Sequence, residues 1–157
     1  MLRKITTWAL VALAVAGAAV AIKNKVAPTA AAPAAAEAAV ALPDDGVVVT
    51  YFTTDVRCPS CLKIEALSRE TVTTRFPEDF ESGRLVFRVV NTGRPENRHF
   101  LDDYKLVSKT VIVSRRQAGK EQDWVNLQDV WLKLDDPAAF RSYVGDAVKR
   151  SLGAPAS

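Results

Sequence analysis

Along the chain the apolar positions change period several times, and each change marks an element. After the turn cluster Asp44-Asp45-Gly46, the run Val47-Val48-Val49-Thr50-Tyr51-Phe52 is dominated by β-branched and aromatic residues, which predicts a strand buried on both faces. From Cys61 the spacing becomes three and four, through Ile64, Leu67 or Ser68, Thr71 and Val72, so a helix is predicted with Cys61 on its inward stripe and Phe76-Pro77 at its end. Leu85 to Val90 reads as a second buried strand, with Arg88 turned to a rim or edge. Pro95 suits the first turn of a helix running on through Glu96 to Tyr104. Thr110 to Val113 predicts a third strand, Gln117 to Lys120 a turn and Gln122 to Val125 a fourth strand. Asn126 is placed to cap a short helix through Leu134, and Asp136-Pro137 carries the cap-plus-proline signature of a last helix to about Leu152. The order β-α-β-α-β-β-α specifies an α/β fold with a mixed four-stranded sheet and helices on both faces.

The N-terminal third is organised differently. Residues 5–22 carry no charge, follow Arg3 and Lys4, and stop at Lys23-Asn24-Lys25. As a helix they would extend about 27 Å, just under the ~30 Å hydrocarbon core, so residues 1–25 read as a signal anchor, with a cleaved signal peptide as the alternative. The flanking charges give a modest preference for the following domain to lie outside the cytoplasm, in a periplasmic or extracytoplasmic space. Residues 26–45, rich in Ala and interrupted by Pro28, Pro33 and Pro43, form a linker without side chains able to anchor a core. The folded domain is expected over 46–153.

Charge and cysteine count narrow the function. The 157 residues hold 21 basic and 18 acidic side chains. Four of the cations flank the apolar run, which leaves the domain near balance and without the basic stripe needed to neutralise a row of phosphates. Nucleic acid is therefore a poor partner. Two cysteines, Cys58 and Cys61, exclude both a disulfide-rich scaffold and a four-thiolate zinc site within one chain.

The chemistry lies in Arg57-Cys58-Pro59-Ser60-Cys61, between the first strand and the first helix. Unpaired N–H groups and a partial positive charge at the helix start stabilise a thiolate at Cys58, and Arg57 adds a cation beside it. Pro59 fixes φ at the first helical position. Cys61, one turn further in, is expected to stay a neutral thiol until required. Disulfide exchange needs this asymmetry: an exposed nucleophile attacks and a sheltered neighbour resolves. The competing reading is a soft metal or metalloid site on Cys58 and Cys61, with His99 the one other soft ligand in the chain. His99 itself reads as a surface or helix-face residue, Trp124 and Trp131 as core or groove packing, and Arg115-Arg116 and Asp102-Asp103 as solvated faces.

Strand, Cys-Pro-Ser-Cys at a helix start and the later element order together resemble the thioredoxin superfamily over about Val47 to Leu152. More closely, the runs Arg57 to Leu67, Val89-Val90-Asn91 and Pro95 to Phe100 are similar to a thioredoxin-like bacterial family labelled nitrophenyl compound nitroreductase subunit, associated with arsenic-resistance gene clusters. The resemblance implies a redox-active disulfide between Cys58 and Cys61, with Pro59 and Ser60 inside the motif. The chain departs from the superfamily where a cis-proline is expected: Val107-Ser108-Lys109-Thr110 stands there instead. A cis bond at Lys109 would cost about 3–4 kcal/mol, so a trans peptide is expected. Lys109, beside Thr110, is positioned to offer its charge to a Cys58 thiolate. No buried carboxylate precedes the motif between Thr50 and Phe52, and Asp55 is the closest acid. Val90 to Thr110 leaves about twenty residues, room for one crossover helix and no inserted domain.

These observations lead to the expectation of a membrane-tethered thiol–disulfide oxidoreductase acting on protein thiols or disulfides together with a redox partner. No flavin or nicotinamide site is signalled and no separate cofactor is expected. The alternatives are a passive thiol binder of soft metal or metalloid and an electron-passing partner subunit.

Overall fold

The computed structural model describes residues 40–154. The predicted signal segment, and the part of the linker up to residue 39, lie outside them. Among the described residues no helix is long and apolar enough to cross a membrane.

Strand β1 (Gly46–Thr53) leads into helix α1 (Pro59–Arg75), a short helix α2 (Pro77–Glu81) and strand β2 (Leu85–Asn91). A 3₁₀ turn (Pro95–Asn97) and a short helix α3 (His99–Asp103) precede strands β3 (Thr110–Gln117) and β4 (Lys120–Asn126). A second 3₁₀ turn (Gln128–Lys133) and helix α4 (Pro137–Gly153) complete the domain. The sheet order is β2-β1-β3-β4, with β1 parallel to β2 and the other two pairings antiparallel. The expected mixed four-stranded sheet is therefore present.

Alternation along β1 divides the interior. Val47, Val49 and Tyr51 join Leu85 and Phe87 of β2 and Val111 and Val113 of β3 on the face covered by α1 and α4. There they meet Ile64, Leu67 and Val72 from one helix and Phe140, Val144 and Val148 from the other. On the opposite face Phe52, Val90 and Ile112 form a smaller cluster with Tyr104, roofed by Phe100 and Leu106. Both faces of β1 are buried, which is why its sequence lacks polar alternation. Arg88, on the edge strand β2, donates through Nε to Thr50 Oγ1 at 2.9 Å and lies over the Phe100 ring.

Three expectations are corrected. The helix over Glu96 to Tyr104 is a 3₁₀ turn followed by the five-residue α3, because the Arg98 and Leu101 N–H groups reach back only three residues. Asn126 caps nothing: its side-chain oxygen accepts from Thr110 Oγ1 at 2.7 Å, and the segment through Lys133 is 3₁₀. Arg115 and Arg116 are committed rather than freely solvated. Arg115 pairs with Asp123, and Arg116 donates to the carbonyls of Pro43 and Gly119.

The start of β1 is held tightly. Asp45 Oδ1 accepts the Ala118 N–H and the Asp44 carbonyl accepts the Gly119 N–H, so residues before the sheet grip the β3–β4 turn. A Cβ placed on Gly46 would lie 2.1 Å from the Arg84 carbonyl oxygen, which already accepts the Val47 N–H. Both groups are backbone and neither can step aside. Gly46→Ala is expected to destabilise the domain by about 2–4 kcal/mol, read as a lower urea midpoint; a loss below about 1 kcal/mol would show that this approach is not needed.

Candidate functional site

The C-terminal ends of the parallel pair β1 and β2 and the start of β3 open toward one end of the sheet, the usual place for a site in such sheets. Between β1 and α1 the chain passes through Arg57-Cys58-Pro59, and Cys58 becomes the N-cap of α1 with extended φ and ψ. Its Sγ accepts the Cys61 N–H at 3.1 Å, and Pro59 occupies the first turn, where a missing N–H costs nothing. Cys58 and Cys61 are joined in a disulfide with Cα atoms 5.0 Å apart. Cys58 is half-buried, whereas Cys61 is 1% exposed and heads the buried stripe Ile64, Leu67, Ser68, Thr71, Val72.

The disulfide forms part of the wall of a cleft of about 490 Å³. Phe52 and Thr54 line it from β1 and the following loop, Val56 from the approach to the motif, and Leu101, Val107 and Trp131 from the surrounding elements. Its rim is unusually apolar for a surface: Val56 is 70% exposed and Val107 is 86% exposed. Among the lining residues there is no carboxylate, and Lys109 is the cation.

Lys109 occupies the position where the sequence lacked proline, and among the described residues no peptide bond is cis. Trp131 Nε1 donates to the Lys109 carbonyl at 2.7 Å, which pins the backbone beside the cleft. The ammonium donates to the Val56 carbonyl and reaches Cys61 Sγ at 3.3 Å. The charge expected at Cys58 therefore contacts the other sulfur. Arg57 also differs from expectation. Its guanidinium pairs with Glu65 of α1, and Glu65 is in turn 4.0 Å from Arg69, so the cation is neutralised within the helix flank.

Of the remaining residues singled out from the sequence, Ser60 is exposed on the first turn of α1, and Thr110 is buried, bonded to Asn126 between β3 and β4. Neither lines the cleft. Asp55 accepts from Asn91 Nδ2 at 2.6 Å, and His99 packs on Phe100 with Nδ1 against the Glu96 carbonyl. Trp124 packs edge-on against Tyr104. The Tyr104 hydroxyl donates to Glu121, and burial with that bond raises its pKa well above the usual phenol value. Sequence reasoning missed Val56, Leu101 and Val107. The only signal at Val56 and Val107 was an apolar residue in a loop, two positions before Cys58 and two before Lys109; Leu101 lies in α3 and carried no signal of its own.

Fold and site together define a mixed α/β domain that carries a CxxC disulfide at the start of its first helix and beside an apolar cleft. Among solved structures, the chain is similar to a thioredoxin from Trypanosoma brucei brucei, with 22% identity over 68% of this chain and 78% of that one and a TM-score of 0.39. No family model and no curated protein matches the chain.

Proposed function

We propose that this protein is a thiol–disulfide oxidoreductase of the thioredoxin-like kind in which Cys58 attacks and Cys61 resolves. The observation that carries this reading is the asymmetry of the pair. Cys58 sits at a helix N-terminus on the edge of an open apolar cleft, while Cys61 is sealed one turn behind it. In the reducing direction a Cys58 thiolate attacks a client disulfide, forms a mixed disulfide and releases one client thiolate. Cys61 then loses its proton, attacks Cys58 Sγ and releases the second client thiol as the Cys58–Cys61 bond closes. Two electrons pass from protein to client, and two protons end on the client thiols.

The finer reading rests on sequence. The runs Arg57 to Leu67 and Pro95 to Phe100 support kinship with the nitrophenyl compound nitroreductase subunit family, within which this chain would hand thiol electrons to a partner. The uncharged run 5–22 between basic flanks supports a tether that holds the domain on the extracytoplasmic side.

Cys61→Ser decides the matter. Mixed disulfides through Cys58 should accumulate in cells and vanish on reduction. Their absence, with no catalysed reduction of insulin by the unaltered protein, would overturn the proposal. Stoichiometric arsenite binding that is lost in either cysteine variant, without turnover, would replace it with a thiol binder.

A further inference from the structure

We infer that Lys109 is a positioning residue that sets the protonation of Cys61, taking the place of a buried base in the resolving step. The inference rests on the exchange chemistry proposed above and deepens it. In that chemistry the sheltered thiol must become a thiolate before it can close the disulfide, and burial alone opposes the charge. Something near Cys61 has to favour the anion.

Among the described residues, the surroundings of Cys61 offer one such group. Lys109 Nζ lies 3.3 Å from its Sγ, held by the Val56 carbonyl on one side and by a backbone that Trp131 pins on the other. Other charged and titratable groups nearby are otherwise engaged. Cys58 supplies the other sulfur. Arg57 and Glu65 on the α1 side neutralise each other, and Asp55 in the loop after β1 is bonded to Asn91. Tyr51 in β1 has its hydroxyl raised by burial and stays protonated through neutral pH. The β2 end and the 3₁₀ turn Gln128–Lys133 contribute Thr92 and Trp131 to the cleft, neither charged. A carboxylate would take the Cys61 proton as a base. An ammonium works differently: it lowers the thiol's pKa so that the proton leaves to solvent or to the departing client thiolate.

With the client bound through Cys58, the step balances as follows. Cys61 thiol gives up a proton, the resulting thiolate attacks Cys58 Sγ, the Cys58–client bond breaks, and the client sulfur leaves with the electron pair and takes up a proton. Where the pH is high enough to ionise Cys61, the ammonium also stabilises the reduced protein and makes the disulfide more oxidising.

The test uses the full chain, reduced and mixed with the aromatic disulfide 5,5′-dithiobis(2-nitrobenzoate) across a pH series. The first thionitrobenzoate is released when Cys58 attacks, the second when Cys61 resolves; Cys61→Ser abolishes the second phase and identifies it. Lys109→Met and Lys109→Gln should shift the pH profile of the second phase upward by about one unit, slowing it about tenfold at neutral pH and converging with the unaltered protein at high pH. Lys109→Arg should restore the profile. At high pH, where Cys61 is ionised in both proteins and the rates converge, the neutral variants should favour the disulfide against glutathione by about tenfold, or about 30 mV for a two-electron couple. Profiles that superimpose, or a slowing by the same factor at every pH, would overturn the assignment. A shifted profile in a protein that neither reduces insulin nor traps clients would sink the proposed function and leave Lys109 its role. Turnover without a shift would do the reverse.

Discussion

Cys58→Ser is expected to remove catalysed insulin reduction while leaving the domain folded. A hydroxyl cannot form the mixed disulfide, so the rate should fall by at least about two orders of magnitude, toward the uncatalysed background. Measured against the reduced unaltered protein, since either variant also lacks the Cys58–Cys61 bond, stability should move little, for a reason visible in the geometry. Cys58 is the N-cap of α1 and its Sγ accepts the Cys61 N–H, a role serine fills with its oxygen. Cys58→Ala loses that acceptor as well and should cost about 1 kcal/mol of stability on top of the activity. Paired urea melts and insulin assays on the two variants separate the contributions. Residual activity above about a tenth of the unaltered rate in either variant would mean that Cys58 is not the nucleophile.

The largest effect on stability is expected at Phe140. Its side chain is fully buried where α4 crosses the sheet, within the cluster that includes Val49, Ile64, Phe87 and Val144. Phe140→Ala removes most of a large apolar side chain and leaves a cavity that neither a strand nor a capped helix can collapse into, a loss of about 3–5 kcal/mol. The helix is fixed there because Asp136 Oδ1 caps it on the Ala138 and Ala139 N–H groups. For a domain of ordinary stability this is a large share of the total, about 5–15 kcal/mol. The urea midpoint should fall accordingly, while thiol exchange by the protein still folded stays near normal, since Phe140 does not line the cleft. A change below about 1.5 kcal/mol would mean that the site repacks.

The elements legible in the sequence were those whose pattern is local. Val47 to Phe52 could be read as a strand buried on both faces because each position carries a strand-forming side chain, and the structure buries all of them. The stripe from Cys61 to Val72 was legible for the same reason, since i, i+3 and i+4 positions of one helix share a face. Pro95 to Tyr104 was misread because a proline start and several helix-compatible residues do not distinguish a 3₁₀ turn from the first turn of an α-helix. The surroundings of the disulfide were the least legible. Lys109 and Cys61 are 48 residues apart, and Trp131 and the Lys109 carbonyl 22, so no spacing rule links them. The direction of Lys109 was set by the Val56 carbonyl, and Glu65, eight residues from Arg57, took the charge that adjacency alone assigned to Cys58.

The grip of Asp44 and Asp45 on the β3–β4 turn has an architectural consequence. The chain enters the sheet beside Arg84 and the end of β3, and the end of α4 comes to the same place: Asp45, Gly46, Arg115, Arg116, Ser151, Leu152 and Ala154 line one small hollow. The cysteines follow β1, whose eight residues span about 26 Å, at the other pole of the sheet. Both described ends of the domain therefore meet at the pole of the sheet opposite the cysteines.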